Sequence, residues 1–417
     1  MIKSCKIRIY PNSYQRNKIN NILGVCRFLQ NKYIEVNISA KKSGFPFITG
    51  YTFDKYINNH LSNEYPWIKM VSSKARKDTI IREEKAFKRL FKKCGGFPHF
   101  KSRKRLNKES YFFIKDNIKY TNNKYIIKIP ILGKIRITEY DYLPELKTIT
   151  SGRVIREYDR YYLMLLYRTD KYNIKTYRKN NIGIDLGIKE YATCSTKTQT
   201  FTISHFKNIR KYKEADKRIK RLQQIISNKV EINYAKLYHK YLDTHQCQEP
   251  NKITKNIMKG ESYKTSQIRK LMRKIRRVKS IQNNIRRDFI NKLLYTLTAI
   301  IKPSVITIEN LDISEMTKHN GTKDTTLHKH IVESAFYMFK LALINKCDYY
   351  GITIRCADKY FASSKICSHC GHKKKNLTLQ DRVYKCNKCG LEINRDENAS
   401  INLLNLKDKD CLILNNA

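Results

Sequence analysis

Four cysteines near the end of the chain, Cys367-x2-Cys370 and, fifteen residues on, Cys386-x2-Cys389, have the spacing of a tetrahedral thiolate zinc site. Gly371 and Gly390 follow the two pairs, where the knuckles need tight turns. Four thiolates close the coordination shell, so this zinc holds structure and does no catalysis. His369 and His372 beside them read as surface residues. The reacting groups are sought among the acids. Asp185 stands within Ile182-Gly183-Ile184-Asp185-Leu186-Gly187-Ile188, an apolar strand pattern in which a carboxylate is costly unless a metal or a cation compensates it. The flanking glycines would let a backbone or a phosphate come close. Glu309 ends the apolar run Val305 to Ile308, and Asp396 opens a helix whose apolar positions are Ala399, Leu403 and Leu406. Each acid alone has a bland explanation, a strand-end turn for the first two and a helix cap for the third. Together they supply hard oxygen ligands from three separate elements, as two-metal phosphodiester cleavage requires. Two Mg2+ or Mn2+ ions about 3.5–4 Å apart would activate water and stabilise the leaving 3′ oxygen. Glu190, Asp312, Glu333 and Glu397 read as surface or supporting acids.

The charge balance names the partner. Lys and Arg total 85 against 36 Asp and Glu, a formal charge of +49 over 417 residues, and such a chain calls for a polyanion. A membrane fits less well, because no apolar run approaches the roughly 20 residues of a spanning helix. The N-terminus enters a strand pattern without a signal-peptide core. Candidate nucleic-acid contacts are Lys74, Lys77, Lys101, Arg103, Arg273, Arg276 and Arg277. The eight cysteines outside the zinc set (Cys5, Cys26, Cys94, Cys194, Cys247, Cys347, Cys356 and Cys411) read as buried free thiols of a reducing compartment.

The elements that must position these groups follow from periodicity. Residues 2–10 alternate as a strand, and Ile19, Ile22, Leu23, Cys26, Leu29 and Tyr33 mark a helix. A second helix is expected from about Ser72 to Lys92, ended by Gly95-Gly96-Phe97-Pro98. Short strands follow at Tyr111–Phe113, Tyr125–Ile129, Lys134–Ile137 and Tyr161–Tyr167, suggesting a small barrel into which the helical part is inserted; the basic run Lys101-Ser102-Arg103-Lys104-Arg105 approaches it. Residues 171–180 are a polar linker. The strand bearing Asp185 then begins an antiparallel meander with 191–195 and 201–204. A long helical region spans about 207–300, with Ile268, Leu271, Met272, Ile275, Val278, Ile281, Ile285, Phe289 and Leu293 as its apolar stripe. A strand at 305–309, a helix at 328–350 and a strand at 352–356 lead to the zinc module and the last helix.

These motifs resemble the TnpB family, nucleases of small bacterial insertion sequences, with eukaryotic and viral relatives called Fanzor and compact type V CRISPR effectors as cousins. The resemblance rests on Lys6-Ile7-Arg8-Ile9-Tyr10-Pro11, Cys26-Arg27-Phe28 with Asn31, Tyr65-Pro66-Trp67, Ala86-Phe87 and Phe97-Pro98-His99-Phe100-Lys101-Ser102. It continues through Gly183-Ile184-Asp185-Leu186-Gly187, Ile308-Glu309-Asn310-Leu311, Ser363-Ser364-Lys365-Ile366-Cys367 and Arg395-Asp396-Glu397-Asn398-Ala399. It implies an α/β multidomain chain: a wedge-type β-barrel (1–11 and 93–175), a helical recognition lobe (12–92), a split RNase H-like RuvC domain (176–363 and 392–417) and a zinc-ribbon target-nucleic-acid-binding insert (364–391). It implies Asp185, Glu309 and Asp396 as magnesium or manganese ligands. It also implies a guide RNA and a double-stranded DNA target, cut beside a short transposon-adjacent motif by a monomer or dimer. Location would be cytoplasmic and nucleoid-associated in a bacterium, nuclear in a eukaryote or virus. Asn394 stands where many members have Asp, and Ser400 replaces an Ala; neither removes a catalytic acid. Two other readings are a nuclease-silent RNA-guided repressor and a strand-transferring transposase.

Overall fold

A computed structural model describes residues 1–103, 108–170, 180–245, 248–263, 265–310, 334–374, 376–378 and 381–414. Lys104, Arg105, Cys247, Asp312, Glu333, residues 171–179 of the linker and the first part of the helix expected at 328–350 lie outside the described residues. The chain divides into two units, Met1–Asp170 and Lys171–Ala417.

In the first unit, the alternation of β1 (Ile2–Tyr10) turns Cys5, Ile7 and Ile9 into the core. Asn12 then starts α1 (Ser13–Lys42) by a reciprocal cap: its side chain accepts from Gln15 N–H while the Gln15 side chain accepts from Asn12 N–H. Short helices α2 (Gly50–Tyr56) and α3 (Ser62–Glu64) lead to α4 (Ser73–Phe91), capped by Ser72. The strands β2 (Lys108–Ile114), β3 (Lys119–Tyr120), β4 (Ile126–Ile129), β5 (Gly133–Ile137), β6 (Ile149–Glu157) and β7 (Arg160–Arg168) join β1 in one antiparallel sheet of order β2-β6-β7-β1-β5-β4-β3. Strand β6 is absent from the sequence reading, because Thr150-Ser151-Gly152 masks its apolar period. At Gly152 a Cβ would stand 2.3 Å from the Phe113 ring, so the missing side chain is what lets β2 pack there. In this ladder β2 and β3 are edges; among the described residues, hydrogen bonds do not close the sheet into a barrel. Two half-buried carboxylates tie helices to sheet: Glu109 accepts from Arg27 and Arg156, and Asp78 from Arg153 and Arg82.

The second unit is built on a mixed sheet. β8 (Asn181–Leu186), β9 (Glu190–Ser195) and β10 (Thr200–Ser204) form the expected antiparallel meander. Next come α5 (Arg210–Thr244), α6 (Lys252–Ser262) and α7 (Ser266–Tyr295), then β11 (Val305–Ile308), α8 (Phe336–Tyr350) and β12 (Thr353–Ala357). The zinc hairpin β13 (Val383–Lys385) and β14 (Glu392–Asn394), α9 (Arg395–Asn405) and β15 (Cys411–Ile413) complete it. The sheet order is β10-β9-β8-β11-β12-β15, with β8, β11 and β12 mutually parallel. Both faces of the central strands are covered: Ile182, Ile184, Ile306, Ile308 and Ile354 are buried on one, and Gly183 and Thr307 on the other. Helices α5 and α7 pack as a long antiparallel pair, Ile219 against Val278 and Val230 against Ile268. The stripe expected on α7 departs at one position, where Ile281 is 45% exposed and Gln282 is buried, and resumes with Ile285, Phe289 and Leu293 against the sheet's core. Two successive steps of three rotate out of the face of a 3.6-residue helix, and the next inward position falls four residues on. Cys94 is exposed and Cys411 half-buried, so the free thiols are not uniformly interior. No described helix is long and apolar enough to cross a membrane.

Candidate functional site

Register brings the first two acids together. β8 and β11 are parallel with Ile184 opposite Ile308, so the next residue on each strand is Asp185 and Glu309. They emerge side by side from the carboxyl ends of neighbouring parallel strands, where open α/β sheets place their sites. Asp185 is the penultimate residue of β8, not a mid-strand residue, and pairs across to Thr193 of β9.

The third acid arrives on a helix. Gly183 lies two residues before Asp185 and so on the same face of the sheet. A Cβ at Gly183 would stand 2.1 Å from the Ser400 carbonyl oxygen and 2.3 Å from the Leu404 nitrogen, so α9 rests directly on the bare strand. Asp396 sits one turn ahead of Ser400. Ser195, opposite Gly183 on β9, meets the Ser400 hydroxyl at 2.6 Å. The two glycines therefore admit this chain's own backbone: Gly183 takes α9, and Gly187 takes the Glu190 carbonyl, 2.7 Å from where its Cβ would be. Nor does Asp396 cap its helix. Asn394 does, its side-chain oxygen accepting from the Asp396 and Glu397 N–H groups at 2.9 and 3.3 Å. That leaves the Asp396 carboxylate available as a ligand.

Electrostatics agree with this gathering. Burial, then the nearby Glu309 and Asp396 carboxylates, push the Asp185 carboxyl well above its ordinary range, against Arg395 and the Leu186 N–H. Glu309 is raised by burial and by Asp396, opposed by a hydrogen bond from Ser363 and by Arg395. Among the described residues, three half-buried carboxylates face the charge of one guanidinium, and divalent cations held by oxygen ligands are the counterions such a donor set suits. Among the described residues the acids sense one another's charge, while the cluster drawn close enough to hold a metal as it stands is the four cysteines. Their Sγ atoms all lie within 4.8 Å of one another, with Cys367 to Cys389 at 3.6 Å and Cys370 to Cys386 at 3.5 Å. Zinc–sulfur bonds of about 2.3 Å in a tetrahedron put the sulfurs about 3.8 Å apart, so the set suits a structural zinc. Backbone N–H groups of Cys389 and Lys388 lower the Cys386 thiol, favouring the thiolate a metal needs.

Two residues that the sequence reading did not single out for function belong to the site. The buried Ser363 donates its hydroxyl to Glu309 Oε1. Arg395 hydrogen-bonds the Thr378 and Asp381 carbonyls of the zinc module while its charge acts on Asp185 and Glu309. Glu190 is half-buried beside the β8–β9 turn, Glu397 half-buried on α9, and His369 and His372 exposed. Of the basic candidates, Lys74, Arg103, Arg273 and Arg277 are exposed and Arg276 is half-buried. Lys77 is paired with Asp54 at 3.3 Å. Lys101 holds the buried Glu83 at 3.5 Å and exchanges backbone hydrogen bonds with the Asn31 side chain, so structure already occupies it.

Three family models match the chain: "Helix-turn-helix domain" of the OrfB_IS605 type over 1–44, "Probable transposase" OrfB_IS605 over 165–320, and "Cas12f1-like, TNB domain" over 336–403. The first span is here one strand and one long helix. A protein of Escherichia coli (strain K12) named "Putative RNA-guided DNA endonuclease InsQ" is 23% identical over 97% of this chain and 92% of its own length. One of Streptomyces pristinaespiralis named "Putative RNA-guided DNA endonuclease" is 23% identical over 96% and 88%. In fold, the solved "mini-RNA-guided endonuclease CRISPR-Cas_phi3" superposes with a TM-score of 0.50 at 11% identity, covering 97% of this chain and 92% of that one.

Proposed function

Since the chain belongs to the TnpB/OrfB_IS605 family, we propose that it is an RNA-guided DNA endonuclease that hydrolyses phosphodiester bonds with magnesium or manganese at Asp185, Glu309 and Asp396. The observation that carries the reading is the parallel register, which sets Asp185 beside Glu309 while Gly183 lets α9 bring Asp396 across the same face. The β10-β9-β8-β11-β12 order, three antiparallel strands and then two parallel ones, supports an RNase H-like RuvC domain at 176–363 and 392–417 with the zinc ribbon 364–391 inserted. In the same reading the seven-stranded sheet, open between β2 and β3 among the described residues, belongs to the wedge-type domain (1–11 and 93–175), and residues 12–92 form the recognition lobe.

The bound ions would supply charge neutralisation and an activated water. The chain's own residues do the rest. Strand register sets Asp185 and Glu309 side by side, and bound cations would draw the three carboxylates closer than they stand. Asp396 is fixed by a capped helix turn. Arg395 adds positive charge where a phosphodiester would develop negative charge. The surplus of basic side chains fits a guide RNA and its DNA target, with pairing supplying sequence recognition. All three acids are present, which speaks against a nuclease-silent repressor. The test is cleavage of a plasmid matched to the RNA that co-purifies with the protein, in Mg2+. Wild type should cut it, and Asp185→Ala should not; equal cleavage by both would overturn the assignment.

A further inference from the structure

Resting on that active-site reading, we propose that Ser363 is the positioning residue for Glu309 and that α9 and the zinc module together hold Ser363 in place. Ser363 lies in a short turn, Ser363–Lys365, between β12 and the first zinc knuckle, and is 3% exposed. Its hydroxyl donates to Glu309 Oε1. The hydroxyl is thus a buried donor fixed on one oxygen of the Glu309 carboxylate.

The turn itself is clamped from α9. Asn402 donates to the Ser363 and Ile366 carbonyls at 2.7 and 2.6 Å. Asn398, one turn earlier, donates to the Ile366 carbonyl at 2.7 Å and accepts from the Ser368 N–H at 2.9 Å. Both asparagines are buried, and Cys367, the first zinc ligand, lies between the two residues that Asn398 grips. On its other side the chain at this turn is bonded to the first zinc knuckle, with Lys374 N–H on the Lys365 carbonyl and Cys367 N–H on the His372 carbonyl, each at 2.9 Å. One helix thus carries Asp396 at its start and, on its buried side, the two amides that fix Ser363 over Glu309. Side chains that orient a metal-binding carboxylate typically set metal affinity within about 10- to 100-fold.

The experiment uses the full chain with its co-purified RNA. Ser363→Ala, Ser363→Thr, Ser363→Cys and Asp185→Ala are compared in two assays: Mn2+ binding followed by electron paramagnetic resonance without DNA, and cleavage of matched plasmid across a Mg2+ series. Ser363→Ala should weaken Mn2+ binding by about tenfold or more and raise half-saturating Mg2+ to match, with cleavage recovered at high Mg2+. Ser363→Thr keeps the hydroxyl and should restore both. Ser363→Cys, similar in size but a weak donor, decides the matter if the alanine variant does not fold. Wild-type Mn2+ affinity and Mg2+ dependence in the alanine or cysteine variant would overturn the positioning role. If Asp185→Ala itself cleaves normally, the active-site reading fails and not merely the role of Ser363.

Discussion

The Gly183 position shows how one missing atom decides a site. A Cβ there would fall on the α9 backbone at two points, neither of which can rotate away. Gly183→Ala should therefore cost at least about 2 kcal/mol through overpacking, and more if α9 shifts as a body. That corresponds to a fall of roughly 5 °C in Tm, measurable by calorimetry. Cleavage should fall with it, because Asp396 rides on the displaced helix; unchanged stability and activity would mean the close approach is not real. Asn394 offers the complementary case. Asn394→Ala removes the cap and should destabilise by about 1 kcal/mol, whereas Asn394→Asp keeps an acceptor and should stay within a few tenths of wild type. Equal losses in thermal unfolding of the two variants would refute the capping assignment.

At the scale of elements, the zinc hairpin has little core of its own. Its buried cluster is Cys367, Tyr384 and Cys386, with Cys370, Leu377, Leu391 and Ile393 packed around it. So small an apolar set does not hold a hairpin without the metal. Chelation, or Cys386→Ser, should abolish amide-exchange protection in 365–395 while leaving the six-stranded sheet protected. Retained protection after zinc is stripped, confirmed by metal analysis, would show that the metal is not structural. The α5–α7 pair poses a different question. Its Ala215, Ile219 and Val278 cluster and its Ile226, Val230 and Ile268 cluster are small, and the remaining surface of α7 is strongly basic. Exchanging Arg273 and Arg277 together for Gln should leave folding intact and lower the salt sensitivity of RNA or DNA binding by about one to two in log–log slope. No change in slope would remove these residues from the list of phosphate contacts.

For the whole molecule, charge is the dominant long-range property. With +49 to offset, nucleic-acid affinity should fall steeply with salt, by roughly a thousandfold or more between 50 and 200 mM if six or more phosphates are neutralised. A flat titration would argue against polyanion binding as the purpose of that charge. Much of this was legible in the chain itself. Net charge is a sum over residues. The four-cysteine spacing is local, and strands such as 181–186 and 305–308 announce themselves by closely spaced β-branched residues, Ile182 and Ile184 in one and Val305, Ile306 and Ile308 in the other. The three acids stood out as candidates, Asp185 because a carboxylate is costly in an apolar strand and Glu309 and Asp396 because with it they would supply the oxygen ligands of a two-metal site. Where the acids sit relative to one another did not. Register between β8 and β11, separated by more than a hundred residues, is set by strand pairing that no local pattern encodes. The same holds for Ser363, Asn398 and Asn402, ordinary polar residues until folding buries them against particular carbonyls. Composition and spacing determined which chemistry this chain can hold; tertiary contact alone decided which oxygens and amides face each other, because a hydrogen bond depends on separation in space and not along the backbone.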